Sequence, residues 1–289
     1  MYPDPDRNAL GTGHDRVMAE HRPSSRLVAV HLVIDVASHA DIVLGLAVAD
    51  GPQRSSESLV IELDGAAIEP LPLGAPHGGR LHQLRGIAPG RLTVAYTATV
   101  VGQAPPAPVG DAEWYQYIRP SRYCESDQLG PFARAEFSGV TGVDLVHAVS
   151  SWVGTQIAYI PGSSRHTDGA VNTLLSRRGV CRDFAHLTVA MLRANGIPAR
   201  VASVFAPGLQ PMDFHAVAEA CVDNTWYVID PTCLAPRSSM LRIATGADAT
   251  DTAFLTVASG LVDIVEMEVG ATAEPTLPYD DITTLEQLL

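Results

Sequence analysis

Part-way along this chain the spacing of the apolar residues changes, and that change limits the folds open to it. From Arg26 to about Val101 the runs "RLVAVHLVIDV", "DIVLGLAVAD", "SLVIELDG" and "GRLTVAYTATVVG" are apolar or alternate, are rich in Val, Ile and Leu, and are separated by Gly, Pro and Asp clusters. That is the pattern of strands packed on one face, and it predicts a small β-sandwich or barrel-like N-terminal domain. "QAPPAPVGDAEW" interrupts it with prolines, and "YIRPSRYCESDQLGPF" reads as an extended connector. Beyond it, Leu145, Val149, Trp152, Val153 and Ile157 recur three to four apart, as on an amphipathic helix. "DGAVNTLLSRR" predicts a second helix, and "CRDFAHLTVAMLRANG" a third that stops at Asn195 and Gly196 with Pro198 beyond. The runs "ARVASVF", "FHAVAEACV" and "TWYVIDPT" then predict an antiparallel sheet turning at Asp223 and Asn224. The expected fold class is α+β. We expect a partly flexible segment over residues 1–25, a β-rich domain over 26–120, a helix-then-sheet domain over 121–275, and an acidic tail over 276–289 that is mobile or ends in a short helix.

Composition narrows the function. With 289 residues and 46% hydrophobic content the chain can bury a substantial core. Its net charge is −13, and all 19 basic residues are arginine. Such a balance argues against a nucleic-acid partner, which requires clustered basic side chains. Nowhere do about 18 apolar residues run together, and the first 25 residues offer Pro, Asp and Arg where a signal peptide needs an apolar stretch. The expectation is therefore no membrane segment and a cytoplasmic location. Cys124, Cys181, Cys221 and Cys233 are scattered without CxxC spacing, so no disulfide framework, metal site or cofactor is expected.

Cys181, in "RRGVCRDFAHL", follows a glycine turn and opens a helical run. At a helix start, unpaired N–H groups and the helix dipole favour a thiolate, the form that attacks acyl carbons. Cysteine is also a common small core residue, and position alone leaves both readings open. A nucleophile needs a histidine partner. His186 lies about 140° round the same helix and Asp183 about 200° round it, so neither turns back to Cys181; a helix surface or a local polar contact is the simpler place for both. His215 opens the strand "HAVAEACV", and the next strand ends in Asp230. With the turn at Asp223 and Asn224, residue 217 faces residue 230, and His215 and Asp230 become diagonal neighbours on one face. Shifting the turn by one residue sets them directly opposite. Pro231 biases Asp230 towards the extended backbone of a strand end.

With Cys181, His215 and Asp230 in that order, the chain resembles the transglutaminase-like superfamily, the branch of the papain-like fold that carries a Cys-His-Asp triad. The matching pieces are "GVCRDFAHL", "LRANGIPARVAS" and "HAVAEACVDNTWYVIDPT". Upstream, "YIPGSSRHTDGAVNTLLSRRG" is similar to the approach to the nucleophile in bacterial members, and the β-rich first half with "YIRPSRYCES" is similar to the region that often precedes their domain. The resemblance implies Cys181 as nucleophile, His215 as base and acid, and Asp230 as the group that orients the imidazole. It implies attack on a carboxamide or peptide carbonyl, a thioester, and transfer to water or to an amine. The Cys181 backbone N–H would be one oxyanion donor, with Tyr159 and Trp152 as candidates for a second. One departure is Val217, where many relatives carry a large aromatic residue that would shape a pocket wall.

These readings lead to a thiol enzyme acting on a peptide or protein substrate, as a peptidase or amidase or as a transglutaminase. No calcium loop of alternating acidic residues is visible. A catalytically silent interaction module is the alternative class, and a zinc hydrolase using Cys181, His215 and Cys221 is a third without supporting ligand spacing.

Overall fold

A computed structural model describes residues 22–106 and 108–288. Most of the N-terminal segment expected over 1–25 thus lies outside the described residues. Seven strands open the fold: β1 (Ser25–Val36), β2 (Ala40–Leu44), β3 (Gln53–Leu63), β4 (Ala66–Ala67), β5 (Leu71–Gly74), β6 (Arg80–Ile87) and β7 (Gly90–Val101). Alternation explains them. Val28, Val30, Leu32, Ile34 and Val36 of β1 are buried, as are Leu92, Val94, Tyr96, Ala98 and Val100 of β7. Ile42 and Leu44 of β2 and Leu84 of β6 join the same cluster from the facing sheet. The result is two antiparallel sheets sharing one core, a sandwich.

The sandwich is not confined to the first half. Late in the chain, β14 (Leu255–Ser259) and β15 (Val262–Glu274) return to it. β14 pairs with β2, and β15 pairs with β1 along its whole length, from Ser25 opposite Glu274 to Val36 opposite Val262. The sheet orders are β15-β1-β7-β3-β4 and β14-β2-β6-β5. The expected domain limit at residue 275 is therefore corrected, since residues 255–274 belong to the sandwich. Strand periodicity identifies a strand but not the sheet that accepts it.

The connector divides into α1 (Glu113–Gln116) and α2 (Ser126–Glu136), followed by α3 (Gly142–Gln156), β8 (Ala158–Tyr159), α4 (Ala170–Ser176), β9 (Arg178–Gly179) and α5 (Cys181–Ala194). α2 corrects the extended reading of "SDQLGPF". Gly130 and Pro131 suggest a break, but Leu129, Ala133 and Phe137 pack into the core that contains Leu187 and Met191 of α5. That burial outweighs the lost N–H of Pro131. β10 (Ala199–Phe205), β11 (His215–Val222), β12 (Thr225–Ile229) and β13 (Leu241–Gly246) form a separate four-stranded sheet, in the order β12-β11-β10-β13. Asp223 and Asn224 turn the β11–β12 hairpin with φ of 49° and 58°, the left-handed pair that a two-residue loop requires.

The acidic tail is packed rather than mobile or helical. Arg237 holds Asp280 at 2.8 Å, Arg22 holds Glu286 at 2.6 Å, and Val228 N–H donates to the Glu286 carbonyl at 2.7 Å. Among the described residues, no helix is long and apolar enough to cross a membrane.

Candidate active site

α5 starts at Cys181 because the residues before it cannot continue a helix. Val180 is extended, with φ −115° and ψ −179°, and its N–H donates to Asp183 Oδ2 at 2.8 Å, a carboxylate cap on the first turn. Gly179 makes room for that cap, since a Cβ there would lie 2.6 Å from the Asp183 Cβ. Asp183 also accepts from Ser164 Oγ at 2.9 Å. It is buried, so its expected place on the helix surface is corrected, while the expected local polar contacts are present. His186 is likewise buried. Its Nε2 accepts from the Ala249 N–H at 3.1 Å, its ring stacks on Tyr123 at 5.3 Å, and burial pushes its pKa down to about 3, leaving it neutral.

The β11–β12 register pairs Ala218 with Ile229. One step further, Val217 lies beside Asp230, which is the diagonal arrangement expected for His215 and Asp230. His215 Nε2 lies 2.8 Å from Asp230 Oδ2, and both residues are buried. Burial alone disfavours an imidazolium, but the Asp230 carboxylate and its hydrogen bond outweigh it, with a further contribution from the Cys181 side chain. The His215 pKa rises to about 10. In the same pair burial works against the Asp230 carboxylate, and His215 together with Thr232 holds its pKa below the usual value. Asp230 Oδ1 accepts from Thr232 Oγ1 at 2.6 Å and from the Thr232 N–H at 3.0 Å. Both carboxylate oxygens are thus committed, which fixes the carboxylate plane and with it the imidazole.

With Nε2 held by Asp230, the other ring nitrogen, Nδ1, is buried and has no geometrically formed hydrogen bond. The Cys181 side chain interacts with this imidazole. Cys181, His215 and Asp230 are therefore brought together, in that order in space. Cys181 is half-buried, whereas Cys233 is exposed.

Of Tyr159 and Trp152, the two candidates for a second oxyanion donor, one lies beside Cys181. β8 and β9 pair in parallel with Tyr159 opposite Gly179, two residues before Cys181. Burial pushes the Tyr159 phenol up to about 12, with the Cys181 thiol adding to the rise and a hydrogen bond from the Cys181 backbone opposing it. Its hydroxyl thus stands beside the N–H that opens α5. Trp152 points elsewhere: its indole N–H donates to Glu136 Oε1 at 2.9 Å and its ring carries Arg177 at 4.9 Å. Val217 is no pocket wall; it is buried with Ala202, Val204 and Val228. Cys221 packs with Tyr117 and Trp226, apart from the His215 end of its strand. Sequence reasoning passed over Thr232, although an Asp two residues before a Thr, as in "DPT", is a known turn signal. It also passed over Asp213, an exposed carboxylate that interacts with His215 and Tyr159 and is pushed up by partial burial.

Comparisons with known proteins bear on the fold that holds these residues. Residues 137–231 match the family model of the transglutaminase-like superfamily. A candidate cysteine protease from Cytophaga hutchinsonii of known crystal structure is 29% identical, covers 90% of this chain and 95% of its own, and superposes with a TM-score of 0.81. An uncharacterized protein of Mycobacterium leprae is 31% identical over 124 residues, 37% of this chain and 42% of that protein. An uncharacterized protein of Mycobacterium tuberculosis is 42% identical over 57 residues, 20% of this chain and 18% of that protein. The chain thus spans less than half the length of either mycobacterial relative. Residues 137–231, which hold Cys181, His215 and Asp230, thus match a transglutaminase-like domain.

Proposed function

We propose that the protein is a thiol-dependent acyl-transfer enzyme acting on amide or peptide bonds. The observation that carries the reading is the buried imidazole of His215, tied by Nε2 to Asp230 at 2.8 Å while Nδ1 is left for Cys181 at the start of α5. A carboxylate buried against an imidazole favours its protonated form, and an imidazolium beside a thiol at a helix start favours the thiolate. In this reading Cys181 Sγ attacks the carbonyl carbon, and the new C–S bond pushes the carbonyl electrons onto oxygen. The Cys181 N–H and the Tyr159 hydroxyl stabilise that oxyanion. On collapse the C–N bond breaks, and the Nδ1 proton of His215 passes to the departing nitrogen, giving an amine or ammonia and a thioester. His215 then takes a proton from water or from an incoming amine as it attacks the thioester, and the Cys181 thiolate leaves. Throughout, Asp230 keeps the Nε2–H in place and offsets the charge of the imidazolium.

The candidate cysteine protease of similar structure supports the hydrolytic branch, and the superfamily supports both branches. The substrate is a peptide or protein bearing a backbone amide or a glutamine side chain. Incubation of a glutamine-containing peptide library with and without a primary amine, read by mass spectrometry, separates the products. Cleavage fragments indicate a peptidase, a gain of about 1 Da indicates deamidation, and a mass gain equal to the amine minus ammonia indicates crosslinking. Equal inactivity of wild type and Cys181→Ala on every peptide contradicts the enzyme reading and favours the interaction module.

A further inference from the structure

A cavity of about 570 Å³ lies between α3, the end of β12 and the tail, and Asp230 is part of its lining. That volume is within the range of about 300–1,000 Å³ found for small-molecule sites. Neither Cys181 nor His215 lines it, so its occupant is not the group under attack. The Asp230 side chain is 1% exposed whereas the whole residue is 6% exposed, so Asp230 presents mainly its main chain.

One wall comes from α3. His147, Ser150, Ser151, Gly154 and Thr155 line the cavity and recur at the three- and four-residue spacing of a single helix face. Gly154 brings that face against the end of β12, since a Cβ there would lie 2.8 Å from the Pro231 carbonyl oxygen. A hydroxyl on a helix can turn back to the carbonyl four residues before it, and Thr155 does so, donating to the Ser151 carbonyl at 2.8 Å. Ser150 and Ser151 do not. Among the described residues neither hydroxyl has a hydrogen-bond partner, and the His147 imidazole has none. The cavity is apolar at Ile229, Pro231 and Ile282, and Ile282 is 62% exposed, a large apolar side chain that the rest of the chain leaves uncovered.

The carboxylate and the guanidinium of the lining residues are already matched. Arg237 Nη2 donates to Asp280 Oδ1 and to the Asp281 carbonyl, each at 2.8 Å, and both Asp230 oxygens are taken by His215 and Thr232. An ionised ligand would therefore enter without a free counter-charge from either group, and burying an unpaired charge is costly.

We propose that this cavity binds a small neutral molecule with an apolar body and a carbonyl or amide end. The body covers Ile282, Ile229 and Pro231, and the end accepts hydrogen bonds from the free hydroxyls of Ser150 and Ser151. The occupant packs against the main chain that carries Asp230, and the assignment does not depend on Cys181 as a nucleophile.

The test titrates the full chain with Prodan, a neutral aminonaphthalene ketone, and follows the blue shift of its emission. We expect saturable binding of one dye per chain. Ser151→Trp, at an exposed position of α3, should fill the cavity and weaken binding by at least about tenfold. Ile282→Ser, also at an exposed position, should weaken it by about tenfold. The pair Ser150→Ala with Ser151→Ala should weaken it by about fivefold. An aminonaphthalene sulfonate of similar size should bind at least about tenfold more weakly than Prodan. Binding that does not saturate, or that keeps its affinity in Ser151→Trp, overturns the site. A sulfonate that binds as tightly as Prodan overturns the neutral ligand.

Discussion

Two buried residues of β11, His215 and Glu219, are used in opposite ways. At one end His215 makes one bond, to Asp230, and leaves Nδ1 without a formed bond in the direction of Cys181. Four residues along the same strand, Glu219 is fully buried, and both of its oxygens are taken. Arg200 Nε reaches Oε2 at 2.8 Å, and Arg242 reaches Oε2 at 2.6 Å and Oε1 at 2.7 Å. Burial opposes the Glu219 carboxylate, yet the two arginines hold its pKa far below the usual range. Around it, the Arg200 guanidinium lies 3.9 Å from the Trp226 ring and contacts His77 and Glu113, from the sandwich and the connector. The cluster that occupies both Glu219 oxygens ties β11 to its neighbours, whereas the His215 pair leaves Nδ1 without a formed bond. A buried polar group left without a partner costs free energy, and here that cost falls on the atom that chemistry would use.

This contrast is open to several tests, beginning with the largest expected effect. Cys181→Ala should lower turnover by at least about 10⁴-fold without shifting the melting temperature, measured by single-turnover mass spectrometry and calorimetry. Asp230→Asn should lower kcat by about 10³- to 10⁴-fold. It should also move the alkaline limb of kcat/KM down from near 10, because the His215 pKa is raised by Asp230. The sign for stability follows the same pair. The contribution of a raised histidine is complete below about 6.5 and is lost as pH rises through about 10. That of the lowered Asp230 carboxylate is present above about 3.9 and is lost as pH falls below it.

Glu219→Gln should act on the other cluster, costing about 3 kcal/mol of stability in urea titration while leaving turnover per folded molecule unchanged. A loss of turnover without a loss of stability would erase the distinction between the two clusters. The smallest effect is expected for Thr232→Val, about tenfold in kcat with KM unchanged. The remaining N–H of residue 232 can still hold the Asp230 carboxylate, and Thr232→Ser should restore the rate.

Much of this was legible in the sequence. Apolar alternation marked β1 and β7, the 3.6-residue stripe marked α3, and turn chemistry at Asp223 and Asn224 fixed the parity that brings His215 to Asp230. What was missed has physical reasons. Local pattern told against α2, because Gly130 and Pro131 resemble a break until Leu129 and Phe137 are given a core to enter. β15 carried a strand pattern, but nothing in one strand names the partner 226 residues away that takes it, as at Val36 and Val262. The tail is held by Arg237 and Arg22, pairings that no local pattern encodes. The roles of Asp183 and His186 were excluded correctly from helix geometry, but their burial depends on Gly179 and Tyr123, outside the helix itself.

Competition between two thiols tests the central claim most directly. Cys233 is exposed, but partial burial and the carboxylates of Asp230 and Asp280 push its thiol up, whereas Cys181 is half-buried at a helix start beside His215. Treated with limiting iodoacetamide at pH 6 and read by peptide mass spectrometry, the protein should be alkylated at Cys181 at least about tenfold faster than at Cys233. His215→Ala should abolish that advantage. Faster labelling of Cys233, or an advantage for Cys181 that survives the loss of His215, would contradict the account.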